Sequence, residues 1–142
     1  MDILIATLTA WIAAQTGLSA VPPPRVEFVT QIQMTEIAAG PSIAPNPQLR
    51  ALYSQRAATI YLRGNWNSVG LTDQSELVHE LVHHFQNTHN LQYQCGAARE
   101  ELAYKLQIAW LREQGVKDPY DLLQINHFYV VMASVCRDVD HD

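Results

Sequence analysis

His79, Glu80 and His83 stand in the order HExxH within the run Glu76-Leu77-Val78-His79-Glu80-Leu81-Val82-His83-His84-Phe85-Gln86. In a helix, at about 100° per residue, the two histidines fall about 40° apart on one face, with Glu76 and Glu80 beside them. Leu77, Val78, Leu81, Val82 and Phe85 take the opposite arc. Such a helix buries its apolar arc in a core and aims two imidazoles at one point on the other side. A one-turn separation suits Zn²⁺, which neutral imidazole nitrogens bind at about 2.0–2.1 Å. Glu80 then stands next to the ion without being a ligand. From there a carboxylate can take a proton from a water whose pKa the metal lowers towards about 7. The inert alternative is an amphipathic helix whose polar residues merely meet solvent.

A catalytic zinc takes three protein groups and keeps one position open, so a third donor is expected downstream. Glu100 and Glu101 are the adjacent candidates. On a helical wheel centred on Glu100, Ala97, Ala103, Tyr104, Gln107 and Leu111 lie within about 60°, a largely apolar arc. Glu101 shares its arc with Lys105 and Arg112, and Glu101 with Lys105 makes a favourable surface pair at i, i+4. A carboxylate on a buried arc is costly without a countercharge, and a metal supplies one. Glu100 is therefore preferred as ligand, with Glu101 as the alternative. Without a metal, both read as the acidic first turn of a solvated helix.

His79-Glu80-Leu81-Val82-His83 followed by Glu100-Glu101-Leu102-Ala103-Tyr104 resembles the gluzincin arrangement, in which HExxH is joined by a Glu from a later helix. The ExxA pattern is similar to that of the M48-type and related bacterial minimal zincin domains. The resemblance covers residues 58–107. It implies two His ligands, one Glu ligand, a Glu general base and a substrate-binding strand upstream. One departure is visible: Tyr104 stands where those families commonly carry Asp. An Asp there steadies a ligand histidine through a hydrogen bond, where Tyr104 could donate a hydroxyl instead.

Other residues have weaker claims. Hydrolysis needs a donor for the oxyanion, and Tyr104, Tyr129 and His127 are the available candidates. His84 lies about 100° from His83, towards the apolar arc, and reads as a packing or hydrogen-bonding histidine. His89 and His141 are too scattered to place, and Trp66 reads as core.

These groups need elements to hold them. Residues 3–14 are apolar with Leu4, Leu8, Trp11 and Ile12 at helical spacing, and Asp2 sits where a signal peptide carries positive charge, so a first helix of the folded domain is expected. Pro22-Pro23-Pro24 forces extended backbone before a short strand over 25–29, with Val26 and Phe28 on one face. Thr30 and Gln33 resemble a capping box for a helix over 31–39 that buries Met34, Ile37 and Ala38. Gly40 and the prolines at 41, 45 and 47 read as a loop. Residues 49–53 and 58–63 read as a hairpin, whose second strand offers an exposed edge to an extended peptide. Asp73 with Glu76 marks the start of the motif helix. A helix over 97–114 closes at Gly115. Asp118-Pro119 opens a last helix to about residue 135, packing Leu122, Leu123, Ile125, Phe128, Tyr129, Val130, Val131 and Met132.

The chain has 142 residues, 48% of them hydrophobic, which suits one domain with one core. A net charge of −5 with no Lys/Arg cluster argues against nucleic acid as a partner, and no stretch is long enough to span a membrane. Cys95 and Cys136 are outside any CxxC pair. Bridged, they would add up to about 4 kcal/mol and point to a periplasmic or secreted setting; as free thiols they would suit the cytoplasm. The expectation is an α+β fold, a small zincin-like domain that is mostly helical with a hairpin before the HExxH helix. Its expected function is that of a zinc-dependent metallopeptidase-like hydrolase acting on a peptide or protein substrate. In it His79, His83 and Glu100 hold Zn²⁺, and Glu80 is the general base. The alternative is a zinc-binding interaction module that cleaves nothing, motivated by the absence of an obvious specificity domain, and the third reading is a metal-free helical domain.

Overall fold

The computed structural model describes residues 1–39 and 49–137. The loop expected over 40–47 lies outside them, as does His141. The fold is α+β and mostly helical, with a small sheet ahead of the HExxH helix. Helix α1 (Asp2–Thr16) buries Ile5, Leu8 and Ile12 and ends at Gly17, whose φ of +75° lets its N–H reach the Ala13 carbonyl. Strand β1 (Arg25–Val29) follows the prolines, and α2 (Gln31–Ala39) begins at the expected capping box. There Thr30 Oγ1 accepts from Gln33 N–H at 3.1 Å, and Gln33 Oε1 accepts from Thr30 N–H at 2.9 Å. Only Met34 of the three expected apolar contacts of α2 is buried; Ile37 and Ala38 face outward.

Strands β2 (Ala51–Ser54) and β3 (Thr59–Arg63) form the hairpin, antiparallel with Ala51 opposite Leu62. The sheet order is β1-β3-β2, and β1 runs parallel to β3 from Arg25–Thr59 to Val29–Arg63. This corrects the expectation of an exposed edge on β3. That strand is central and paired on both sides, with Ile60 and Leu62 buried on one face and Tyr61 and Arg63 half-buried on the other. The edge next to the HExxH helix is β2 instead.

Helix α3 (Leu71–Thr88) carries the motif. It starts two residues before Asp73, whose side chain does not cap it. Asp73 instead accepts two bonds from Arg50, from Nε at 2.9 Å and Nη2 at 2.8 Å, and one from the Asn67 N–H at 2.6 Å. A bidentate guanidinium outcompetes a capping role for the same carboxylate. Leu77, Val78, Leu81, Val82 and Phe85 are all buried, as the wheel requires, and α3 packs on α1, β2 and above all α4 (Glu100–Glu113). One 3-10 turn, Gly96–Arg99, leads into α4. Trp66 is core, with its indole N–H on the Asp73 carbonyl at 3.0 Å.

The single last helix is not formed. The chain makes α5 (Pro119–Leu123), turns at Gln124 with φ of +55°, and restarts as α6 (His127–Ala133). Asn126 explains the restart, because its side chain accepts from the Tyr129 N–H at 2.7 Å and caps a new N-terminus. Consequently Leu122, Phe128, Tyr129, Val131 and Met132 are exposed, and Val130 is the buried residue of α6. Cys95 and Cys136 form a disulfide that ties the end of this segment to the turn before α4. Closing a loop of 41 residues in sequence separation restricts the unfolded chain by about 4 kcal/mol. No helix among the described residues is long and apolar enough to cross a membrane.

Candidate metal centre

Two helices supply the site. His79 and His83 are one turn apart on α3 with ring centroids 5.0 Å apart, and Glu100 is the first residue of α4. The buried Ala103 lies one turn further along α4, small enough to let the two helices approach. Glu100 thereby meets both imidazoles: Oε2 lies 2.9 Å from His79 Nε2, and Oε1 lies 2.9 Å from His83 Nε2. These three residues are the group of donors able to hold a metal ion among the described residues. Glu101 is exposed and takes no part.

The other ring nitrogens reveal what this convergence means. His79 Nδ1 is 2.8 Å from Gln107 Oε1, and His83 Nδ1 is 2.8 Å from Gln86 Oε1. Neither amide is free to turn round. Gln86 Nε2 donates to the Arg99 carbonyl at 3.0 Å, so its oxygen must face His83. Gln107 Nε2 donates at 3.1 Å to Ser75 Oγ, which spends its own proton on the Thr72 carbonyl at 2.7 Å, so the oxygen of Gln107 must face His79. Both imidazoles therefore donate from Nδ1, and the neutral ring has only a lone pair left on Nε2. Two nitrogen lone pairs and a carboxylate at 2.9 Å repel one another unless a cation lies among them.

A proton meets that demand in part. Burial disfavours the His83 imidazolium, but its bond to Glu100 and the charges of Glu80 and Glu100 outweigh this and push the ring up to about 9. Burial likewise opposes ionisation of Glu100, and the bonds to His79 and His83 overcome it, holding the carboxyl well below the usual carboxylate range. Two imidazole nitrogens and one carboxylate, each ring fixed by a bond from its far side, is the donor chemistry of an open zinc site.

The centre opens on a cleft of about 540 Å³. Residues 49–52 at β2 form one bank, Leu122 to Ile125 and Tyr129 the other, and Glu76, His79, Glu80, Glu100, Tyr104 and Gln107 the floor. Glu80 is thus in the cleft beside the centre while remaining buried. Tyr104 stands edge-on to His79 at 4.6 Å between ring centroids. Burial first, and then the neighbouring Tyr129 hydroxyl, push the Tyr104 hydroxyl upward, so it is a neutral donor at physiological pH. Tyr129 is half-exposed on the cleft wall. His127 is not in the cleft; it is exposed, with its ring 6.3 Å from that of Tyr120. His84 is a structural histidine: Nε2 donates to the Pro22 carbonyl at 2.8 Å and Nδ1 accepts from the Tyr53 hydroxyl at 2.8 Å. Burial lowers its pKa, in keeping with a neutral ring. His89 Nε2 lies 2.9 Å from the Ser19 carbonyl, away from the cleft.

Sequence reasoning missed Gln86 and Gln107 as parts of the site. A signal existed for both. Gln86 is three residues after His83, and Gln107 is seven after Glu100, about 20° from it on the wheel. A polar amide on a buried arc needs a buried partner.

Over residues 1–142 the chain matches the family model described as a domain of unknown function, DUF6647. No curated protein and no solved structure matches it.

Proposed function

The chain belongs to the DUF6647 family, and we propose that it is a zinc-dependent, peptidase-like hydrolase. The observation that carries this reading is the convergence of two Nε2 lone pairs and the Glu100 carboxylate on one point, with both Nδ1 protons committed to Gln107 and Gln86. His79, His83 and Glu100 would hold the ion. When bound, zinc supplies a Lewis acid that polarises a carbonyl and acidifies water.

The chain's own residues do the rest. Glu80, in the cleft one residue after His79, accepts a proton from the attacking water and returns it to the departing amine. Gln107 and Gln86 keep each imidazole turned with Nε2 inward. Tyr104 and Tyr129 both border the cleft, and their hydroxyls are available to the oxyanion that forms at the attacked carbonyl. An extended peptide finds its backbone partner in β2, whose outer edge borders the same cleft, so that strand addition lays the chain beside Glu80. The Cys95–Cys136 bridge fits a periplasmic or secreted setting.

Metal analysis of the purified protein together with digestion of a broad peptide library tests the reading. One zinc per chain and cleavage that Glu80→Gln abolishes are expected. One zinc per chain with no cleavage anywhere in the library would favour an interaction module, and no bound metal near neutral pH would overturn both.

A further inference from the structure

Among the described residues lining the cleft, four carry a formal charge apart from histidine: Arg50, Glu76, Glu80 and Glu100. Three of them have an assignment. Arg50 is turned to Asp73 through Nε and Nη2, with Nη1 and Nη2 also 3.4 Å from Asn65. Glu100 meets the two imidazoles, and Glu80 is the base. Glu76 has none. It sits on the cleft floor one turn before Glu80, and its Oε2 is buried without a hydrogen-bond partner. Burial and then the charge of Asp73 push the Glu76 carboxyl up to about 7, and Arg50 counters this only through space.

A desolvated carboxylate oxygen without a partner, as Glu76 Oε2 is, carries a free-energy cost that an incoming cation relieves. With zinc in place its two positive charges offset Glu80 and Glu100, and Arg50 is held by Asp73, so Glu76 is the carboxylate of the cleft left to draw a cation. Position narrows the ligand. Three residues of helix place Glu76 about 4.5 Å along the axis from His79, and an extended peptide advances about 3.3 Å per residue. The group that reaches Glu76 therefore belongs to a residue next to the bond being cut. Resting on the zinc-peptidase reading, we propose that Glu76 is a subsite for a positively charged group of the peptide, an alkylammonium or guanidinium, beside the scissile bond. A lysine or arginine side chain and a free amino terminus share that chemistry.

Zinc-loaded Glu80→Gln protein, which binds without cutting, allows the subsite to be read by calorimetric titration independently of turnover. The probes are hexapeptides blocked at both ends with lysine placed at each position in turn, the same set with norleucine, and an unblocked set with a free amino terminus. One lysine placement, or the free terminus, is expected to bind on the order of tenfold tighter than its uncharged counterpart. Adding Glu76→Gln is expected to bring that ratio to about one with zinc stoichiometry unchanged. A preference carried by the blocked lysine set assigns a side-chain subsite, and one carried only by the unblocked set assigns an amino-terminal subsite. Equal binding of charged and uncharged peptides, a preference that survives Glu76→Gln, or no binding by any peptide would overturn the proposal. Absence of cleavage by the wild-type protein would instead count against the hydrolase reading and leave the binding ratio to decide on Glu76.

Discussion

Gln107 holds His79 from behind: its Oε1 accepts from Nδ1 at 2.8 Å while its Nε2 is anchored on Ser75 Oγ at 3.1 Å. This bond orients the ring and selects its tautomer. Gln107→Leu is close in volume and removes both bonds, so zinc affinity is expected to fall on the order of 10- to 100-fold with the fold retained. Competition with a chromophoric chelator measures this. Affinity unchanged within a factor of two would show that the bond does not matter for the metal.

Glu100 and Glu101 are neighbours with opposite exposure, one against both imidazoles and the other facing solvent. Glu100→Ala is expected to remove most zinc binding, and Glu101→Ala to leave it unchanged. The reverse pattern in the same chelator assay would transfer the ligand role to Glu101.

The His83–Glu100 pair makes the metal-free protein pH-sensitive. His83 is raised from 6.5 to about 9, so its contribution is fully present below 6.5 and is lost as pH rises through 9. Glu100 is lowered from 4.5, so its contribution is present above 4.5 and is lost at lower pH. The pair therefore stabilises most between these limits. Thermal unfolding in the presence of a chelator should show Tm falling between pH 6.5 and 9, and His83→Gln should flatten that limb. Zinc binding at pH 7.5 should also release about one proton, read as a buffer-dependent calorimetric enthalpy.

Glu76 has the opposite sign. Its pKa is raised from 4.5 to about 7, so its ionisation destabilises the folded chain increasingly as pH rises across that interval. Glu76→Gln should stabilise the metal-free protein by about 1–2 kcal/mol at pH 8 and by nothing at pH 4. Urea unfolding at the two pH values checks it, and a destabilised variant at pH 8 would mean that the ionised carboxylate has a partner in solution.

The parts of this site that were legible in the sequence are those fixed by short-range helical geometry. His79 and His83 share a face because of their spacing, and Glu100 stood out because Ala103, Tyr104 and Leu111 surround it on the wheel. What escaped was set by competition or by distance in the chain. Asp73 carries the pattern of a helix start, yet Arg50, 23 residues earlier, takes its carboxylate. β3 reads as a hairpin edge until β1 pairs with its other side, a parallel contact that no local signal announces. The break at Gln124 has no proline or glycine to mark it, only the cap that Asn126 offers two residues later.

Cys136→Ser should cost on the order of 2–4 kcal/mol in unfolding free energy under non-reducing conditions. Thiol titration of the denatured, unreduced wild-type protein should find none, and two thiols per chain would refute the bridge.

The bridge also closes a covalent ring from Cys95 to Cys136 that contains Glu100, Tyr104, Gln107 and Tyr129. One backbone cut inside that ring leaves both pieces attached to each other, so the third donor stays tethered to the helix that bears the two histidines. A nick in the exposed turn at Gln124 would leave all three donors on one fragment, and the bridge would keep α6, with the cleft-lining Tyr129, attached to it. Such damage would show as two bands only after reduction.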